Sequence, residues 1–96
     1  MLERDMARRG REYLESLGFL VFKYHGSIYG VTGFSDQFGV CPDGRAFFLE
    51  VKNTGKKLSP AQVIFLEEAR EHNALADWYD SLEKLKNLMV IWKYDK

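Results

Sequence analysis

The feature that most constrains the fold is a short hairpin, 36–52, whose second strand reads FFLEVK at 47–52. Its apolar residues, Phe, Leu and Val, predict a central strand that is buried on both faces, and two charges, Glu50 and Lys52, close the run. The Pro-Asp-Gly segment at 42–44 suits a three-residue loop, with Pro and Asp in a type I turn and Gly at positive φ. The hairpin is therefore expected to turn at 42–44.

This turn fixes which residues lie opposite each other. It pairs Cys41 with Arg45, and the pairs that follow are Val40–Ala46, Phe38–Phe48 and Asp36–Glu50. Opposed residues point to the same face, about 5 Å apart at Cβ, and Lys52 follows on that face because side chains alternate. Two carboxylates and an ammonium thus converge at one sheet edge. A hard divalent cation takes oxygen ligands and would relieve the carboxylate repulsion.

Length and composition narrow the class of protein. Ninety-six residues predict one small domain, 1–96, and 46% hydrophobic residues are ample for its core. The single cysteine, Cys41, excludes an internal disulfide and suits a reducing cytoplasm. We expect neither a signal peptide nor a membrane span, because no apolar segment is long enough. The net charge is zero, so composition alone does not indicate a nucleic-acid-binding protein.

Periodicity and capping signals predict the order α-β-β-β-α-β-α. The first helix is expected at 2–17, closed by Gly18, and the first strand at 19–24. A further helix begins after Ser59, where Pro60 suits the first position and Gln62 completes a capping box. We expect a last strand at 74–79 and a final helix after Ser81.

One acid of the first helix stands out. Its apolar stripe comprises Met6, Ala7, Gly10, Tyr13, Leu14 and Leu17. Glu3 falls in the middle of this stripe, whereas Glu12 points elsewhere. Two interpretations are open: Glu3 is solvated at a frayed helix end, or it reaches over the active edge.

Basic residues are unevenly distributed. The first helix carries Arg4, Arg8, Arg9 and Arg11, and the hairpin motif is flanked by Lys52, Lys56 and Lys57. This asymmetry permits a basic surface that faces DNA, although such charge runs usually mean no more than solvated helix faces. Lys23 interrupts the first strand, either as an edge lysine that extends into solvent or as a phosphate contact near the site.

Three motifs occur in a consistent order: GFSD at 33–36, EVK at 50–52 and SPAQ at 59–62. They resemble the G-x-x-D, E-x-K and S-x-x-Q motifs of the VRR-NUC family in the PD-(D/E)xK nuclease superfamily, in particular its short stand-alone members from viruses and bacteria. The resemblance implies a restriction-endonuclease-like α/β fold: an αβββαβ core with a mixed central sheet flanked by helices, here with an extra C-terminal helix. The expected location is the cytoplasm of a bacterium or of a virus-infected host cell.

The resemblance further implies a metal-dependent DNA endonuclease that is selective for branched structures. Asp36 and Glu50, with the Val51 carbonyl, would hold Mg²⁺ or Mn²⁺, and Lys52 would act on the attacked phosphate or the water. Family members carry an acid near Glu3, which would act through water or as a weaker ligand. The family's glutamine is an active-site residue, so Gln62 is expected to orient Lys52 or a phosphate oxygen. Phosphate contacts are expected from Lys23, Lys56 and Lys57.

Two other functions fit the residues less well. One is a nucleic-acid-binding module that keeps the fold without cleavage. The other is a structural domain in which Asp36, Glu50 and Lys52 form a buried ion-pair cluster, but buried pairs stabilise proteins poorly.

A homodimer is also expected, because cutting two strands symmetrically needs two sites. The last helix has apolar residues on one stripe (Leu82, Leu85, Leu88, Met89 and Trp92) and others outside it (Val90, Ile91 and Tyr94). The family resemblance implies a dimer as well.

Overall fold

The computed structural model of the chain describes residues 2–25, 30 and 32–95. Its elements follow the predicted order: α1 Glu3–Ser16, β1 Leu20–Lys23, β2 Gln37–Val40, β3 Ala46–Val51, α2 Pro60–Glu71, β4 Leu75–Tyr79 and α3 Leu82–Trp92. The predicted α/β class and the order of elements are therefore confirmed.

The four strands form a mixed sheet in the order β1-β2-β3-β4. The first three are antiparallel, and β4 runs parallel to β3. The hairpin register is confirmed: Phe38 pairs with Phe48, and the Cys41 N–H donates to the Arg45 carbonyl at 2.7 Å. Gly44 has φ +95°, as the turn requires. Because the turn sets the register, it also brings Asp36 level with Glu50.

The two faces of the sheet pack against different helices. Phe47, Leu49 and Val51 alternate inward along β3 and join a core with α1 and α3. On the opposite face, Phe48 packs edge-on against Phe65 of α2, with ring centroids 5.4 Å apart. The central strand is thus covered on both faces, which is why its sequence is almost wholly apolar.

Some boundaries differ from the prediction. The first and last strands are shorter than expected. Tyr94, which lies outside the apolar stripe predicted for the last helix, packs against the core: its hydroxyl donates to Asp43 at 2.8 Å, and its ring contacts Phe19. In the described part of the chain, no helix is both long and apolar enough to cross a membrane.

Candidate active site

The two hairpin carboxylates meet where the β2–β3 ladder ends. The last ladder pair is Gln37 with Leu49, so the preceding residue, Asp36, lies beside Glu50. The Val51 N–H donates to Asp36 Oδ2 at 2.9 Å, which fixes the Asp36 carboxylate at the end of the sheet. The sequence-predicted acids are therefore brought together, and the Val51 backbone is part of the same constellation.

Glu50 lies in an unfavourable electrostatic environment. Its side chain is buried, with the residue only 3% exposed. Burial raises the pKa of Glu50 from 4.5 to about 9, and the adjacent Asp36 adds to this rise through a hydrogen bond and through its charge. Lys52 opposes the rise and Glu3 adds to it slightly. Without a compensating cation, Glu50 therefore holds a proton at neutral pH.

One oxygen of Glu50 is satisfied and the other is not. Oε1 accepts a hydrogen bond from Gln62 Nε2 at 3.0 Å. Oε2 is buried, and among the described residues no donor reaches it while both acids are ionised. A buried carboxylate oxygen without a donor is costly, so it requires a proton shared with Asp36 or a bound cation.

The donor atoms suit a hard cation. The two carboxylates are oxygen ligands of the kind that Mg²⁺ takes, with waters completing its shell. Within residues 2–25, 30 and 32–95, no group of three or more His, Cys, Asp or Glu side chains is arranged to hold a metal ion. What favours a ligand role for the Asp36–Glu50 pair is the buried Glu50 oxygen that has no hydrogen-bond partner among the described residues.

Gln62 combines two roles that the sequence presented as alternatives. Its backbone N–H donates to Ser59 Oγ, and its Oε1 accepts from the Ser59 N–H at 2.8 Å, which completes the capping box. This bond orients the amide so that Nε2 donates to Glu50. Gln62 therefore contacts a site carboxylate, and its expected contact with Lys52 or a phosphate oxygen stays a prediction.

The GFSD and SPAQ segments contact each other. Gly33 has φ +79°, and a Cβ there would collide with the Ala61 backbone carbonyl. The next residue, Phe34, packs against Phe65 of α2 with ring centroids 4.8 Å apart and the rings tilted by 48°. The chain therefore passes tightly over the start of α2 before it reaches Asp36, which only a glycine permits.

Glu3 points inward, as its position on the helical stripe predicted. It is half-buried, and its Oε2 accepts from the Asn53 N–H at 3.2 Å. It lines a groove together with Asp36 and Val51. Glu12, in contrast, forms an exposed pair with Arg8 at 2.9 Å. The Glu3 side chain is therefore anchored at the site rather than solvated at a frayed helix end.

The predicted lysines occupy three different situations. Lys52 is half-buried near Glu50, but it forms no ion pair among the described residues. Lys23 lines the groove that contains Glu3 and Asp36. Lys56 and Lys57 are exposed in the loop after β3 and do not line this groove.

Sequence reasoning missed one buried polar residue at the site. Gln37, next to Asp36, is 4% exposed. Its Nε2 donates to the Ala7 carbonyl at 2.8 Å, and its Oε1 accepts from the Tyr79 hydroxyl at 2.7 Å. These bonds join α1, β2 and β4 behind the carboxylates. The available signal was a lone glutamine on the inward face of an otherwise apolar hairpin strand.

The fold and this site define a nuclease-like α/β core. A solved structure described as a VRR_NUC domain superposes on the chain with a TM-score of 0.78 at 30% sequence identity, covering 91% of this chain and 92% of that chain. The chain belongs to the VRR-NUC family, which implies a nuclease-type hydrolase. No family sequence model and no curated protein matches it.

Proposed function

We propose that the protein is a metal-dependent DNA endonuclease that hydrolyses phosphodiester bonds at the Asp36–Glu50 edge. The observation that carries the proposal is the buried Glu50 carboxyl, which has one oxygen without a donor and lies beside a second carboxyl. A structural role does not account for this arrangement, because burying a carboxyl that must stay protonated beside a second carboxyl costs free energy that an apolar residue would not cost.

Asp36, Glu50 and the Val51 carbonyl would hold Mg²⁺ or Mn²⁺. When bound, such an ion polarises the scissile phosphate and lowers the pKa of a water molecule. Gln62 holds Glu50 in one orientation, and the Val51 N–H does the same for Asp36. The site is therefore preorganised before DNA binds.

Lys52 supplies the positive charge. Its ammonium is close enough to lower the pKa of Glu50, but it is not committed to an ion pair among the described residues. It is therefore free to stabilise negative charge that develops on a phosphate. This also disfavours the structural ion-pair interpretation, in which Lys52 would pair with a carboxylate.

Glu3 is assigned a supporting role through water. One of its oxygens accepts from the Asn53 N–H directly after Lys52, so Glu3 holds the segment that carries the lysine against α1. Lys23 in the groove, with Lys56 and Lys57 in the loop after β3, is assigned to phosphate contacts.

We assign the substrate preference to DNA shape. The described residues contain no zinc-type cluster, and their helices are separated by strands rather than paired as in a helix-turn-helix. Junctions, flaps and other branched structures differ from linear DNA in backbone geometry, which a small domain reads without base contacts. We expect branched DNA to be cut faster than a linear duplex.

A homodimer would place two sites on such a substrate. Val90 and Ile91 of α3 are 57% and 71% exposed, which leaves an apolar surface for a second copy. Light scattering at micromolar concentration, with and without DNA, tests this: we expect twice the monomer mass of 11.2 kDa. The monomer mass under both conditions would exclude the dimer.

Cleavage of branched and linear DNA with Mg²⁺, Mn²⁺ or excess chelator tests the main proposal. We expect metal-dependent cleavage that Glu50→Gln abolishes and Glu12→Gln leaves unchanged, because Glu12 lies on the exposed face of α1. Binding without cleavage in either metal would favour the alternative, a non-catalytic binding module.

A further inference from the structure

A second groove adjoins the one that contains the carboxylates. The two share Arg4, Ala7 and Lys23 in their walls. From these shared residues the second groove continues along α1 to Arg8 and Arg11. We call it the arginine groove. A path thus leads from the carboxylate edge along the surface of the first helix.

The arginines of this groove recur at helical spacing. Arg4, Arg8 and Arg11 stand at i, i+4 and i+7, so they share one stripe of α1. At 1.5 Å per residue they span about 10 Å along the helix axis. One strand of a DNA duplex carries a phosphate about every 3.4 Å along its axis. The stripe therefore matches the length of duplex over which one strand carries about three phosphates.

The described lining of the arginine groove carries a net positive charge. It has four cationic side chains and one carboxylate, Asp5. Arg8 pairs with Glu12 at 2.9 Å and Arg11 with Glu15 at 3.8 Å, but these side chains are about half exposed. Exposed pairs at this spacing contribute little, so a phosphate can displace them.

Two cations lie closest to the carboxylates. Arg4 and Lys23 line both grooves and, in the part of the chain that the structure describes, form no ion pair. They are available at the junction between the site and the arginine groove. Arg9, one residue from the stripe, is exposed and lines neither groove.

We infer that the arginine groove is the path of one DNA strand next to the scissile phosphate, with Arg4, Arg8 and Arg11 as phosphate contacts. The inference rests on the proposed nuclease function and adds the residues that grip the substrate. It assigns the main phosphate contacts to α1 rather than to Lys56 and Lys57, which line neither groove.

The test is DNA binding without cleavage. A fluorescently labelled branched DNA is titrated with protein in chelator, over a series of NaCl concentrations, and binding is followed by anisotropy. Compared with the wild-type protein, we expect the triple variant Arg4→Gln, Arg8→Gln, Arg11→Gln to bind about tenfold or more weakly. The slope of log K against log salt should become shallower by about 3, close to one unit for each lost phosphate contact.

A matched control removes the same charge elsewhere. The triple variant Arg9→Gln, Lys86→Gln, Lys93→Gln has the same net charge, and its three positions are exposed away from both grooves. Its salt slope should change by less than about 1. Replacing Arg4, Arg8 and Arg11 by lysine should retain most of the slope, which separates lost charge from a damaged helix.

The outcomes separate this inference from the proposed function. If the wild-type protein does not bind DNA, the proposed function fails. If the wild-type protein binds and the arginine-groove variant has the salt slope of the control, the groove inference is overturned while the function stands. Should the triple variant fold poorly by circular dichroism, the three single variants decide: each is expected to lose about one unit of slope.

Discussion

Two buried polar residues on neighbouring strands, Gln37 and Glu50, illustrate opposite uses of burial. They are 4% and 3% exposed. Both ends of the Gln37 amide are hydrogen-bonded, to Ala7 and to Tyr79. Glu50 has one oxygen bonded to Gln62 and one without a donor. Gln37 is fully hydrogen-bonded within the fold, whereas Glu50 has a buried oxygen that only a proton or a cation satisfies.

The difference shows how a functional group is distinguished from a structural one in a small domain. Burial is nearly the same for the two residues, so it does not discriminate between them. What discriminates is whether the polar atoms find partners within the protein, because unsatisfied buried groups are few in native folds and often mark functional sites.

Glu50→Gln should lower the cleavage activity more than any other change, and it should raise the stability of the protein. Cleavage should fall by at least about 10³-fold, because a metal ligand is lost. The free energy of unfolding without metal should rise at alkaline pH, because the amide carries no charge to bury. Cleavage kinetics and thermal melts in chelator measure the two effects, and cleavage at the wild-type rate would refute the ligand role.

The pH dependence of stability follows from the same residue. Between its ordinary pKa of 4.5 and about 9 in the fold, Glu50 is protonated in the native state and ionised in the unfolded state. The native state then binds more protons, so its stability without metal falls as pH rises through this window. Thermal melts from pH 5 to 9 should show a steeper decline for the wild-type protein than for Glu50→Gln. Equal slopes would contradict the pKa assignment.

Lys52→Ala should impair catalysis without impairing metal binding. We expect cleavage to fall by about 10²–10³-fold, because a charge that stabilises the transition state is removed. Metal affinity should stay constant or rise, since a nearby cation is lost. Single-turnover cleavage and calorimetry measure the two quantities. A loss of stability alone would support the ion-pair interpretation.

Gln37→Leu should mainly affect stability. The change leaves the buried Tyr79 hydroxyl and the Ala7 carbonyl without their partner, at a cost of about 2–4 kcal/mol. Urea denaturation measures the loss. Metal affinity per folded molecule should change much less than in Glu50→Gln, and the reverse result would break the distinction between the two residues.

Glu3→Gln should have a smaller effect. We expect a loss of cleavage of about 10–100-fold, the range seen when a residue that supports metal ligands is changed. Glu12→Gln is the matched control on the exposed face of α1 and should cleave at the wild-type rate. Equal effects of the two changes would show that the inward position of Glu3 has no catalytic consequence.

The sequence alone predicted what local geometry dictates. The turn at 42–44 determined the register that brings Asp36 to Glu50, and helical periodicity placed Glu3 inward. It did not predict that Gln62 bonds Glu50, because that contact depends on how α2 approaches β3. The Gln37 network was missed for the same reason: its partners come from two other elements and become visible only once α1 is docked.

Calorimetric titration of Mg²⁺ or Mn²⁺ at pH 7.5, in buffers of different ionisation enthalpy, measures whether a cation binds at the unsatisfied Glu50 oxygen. Because the pKa of Glu50 is raised to about 9, binding should release close to one proton per ion. Glu50→Gln should show no binding, and Gln37→Leu should still bind. If the wild-type protein bound neither ion, or if Glu50→Gln bound with unchanged affinity, Glu50 would not be a metal ligand.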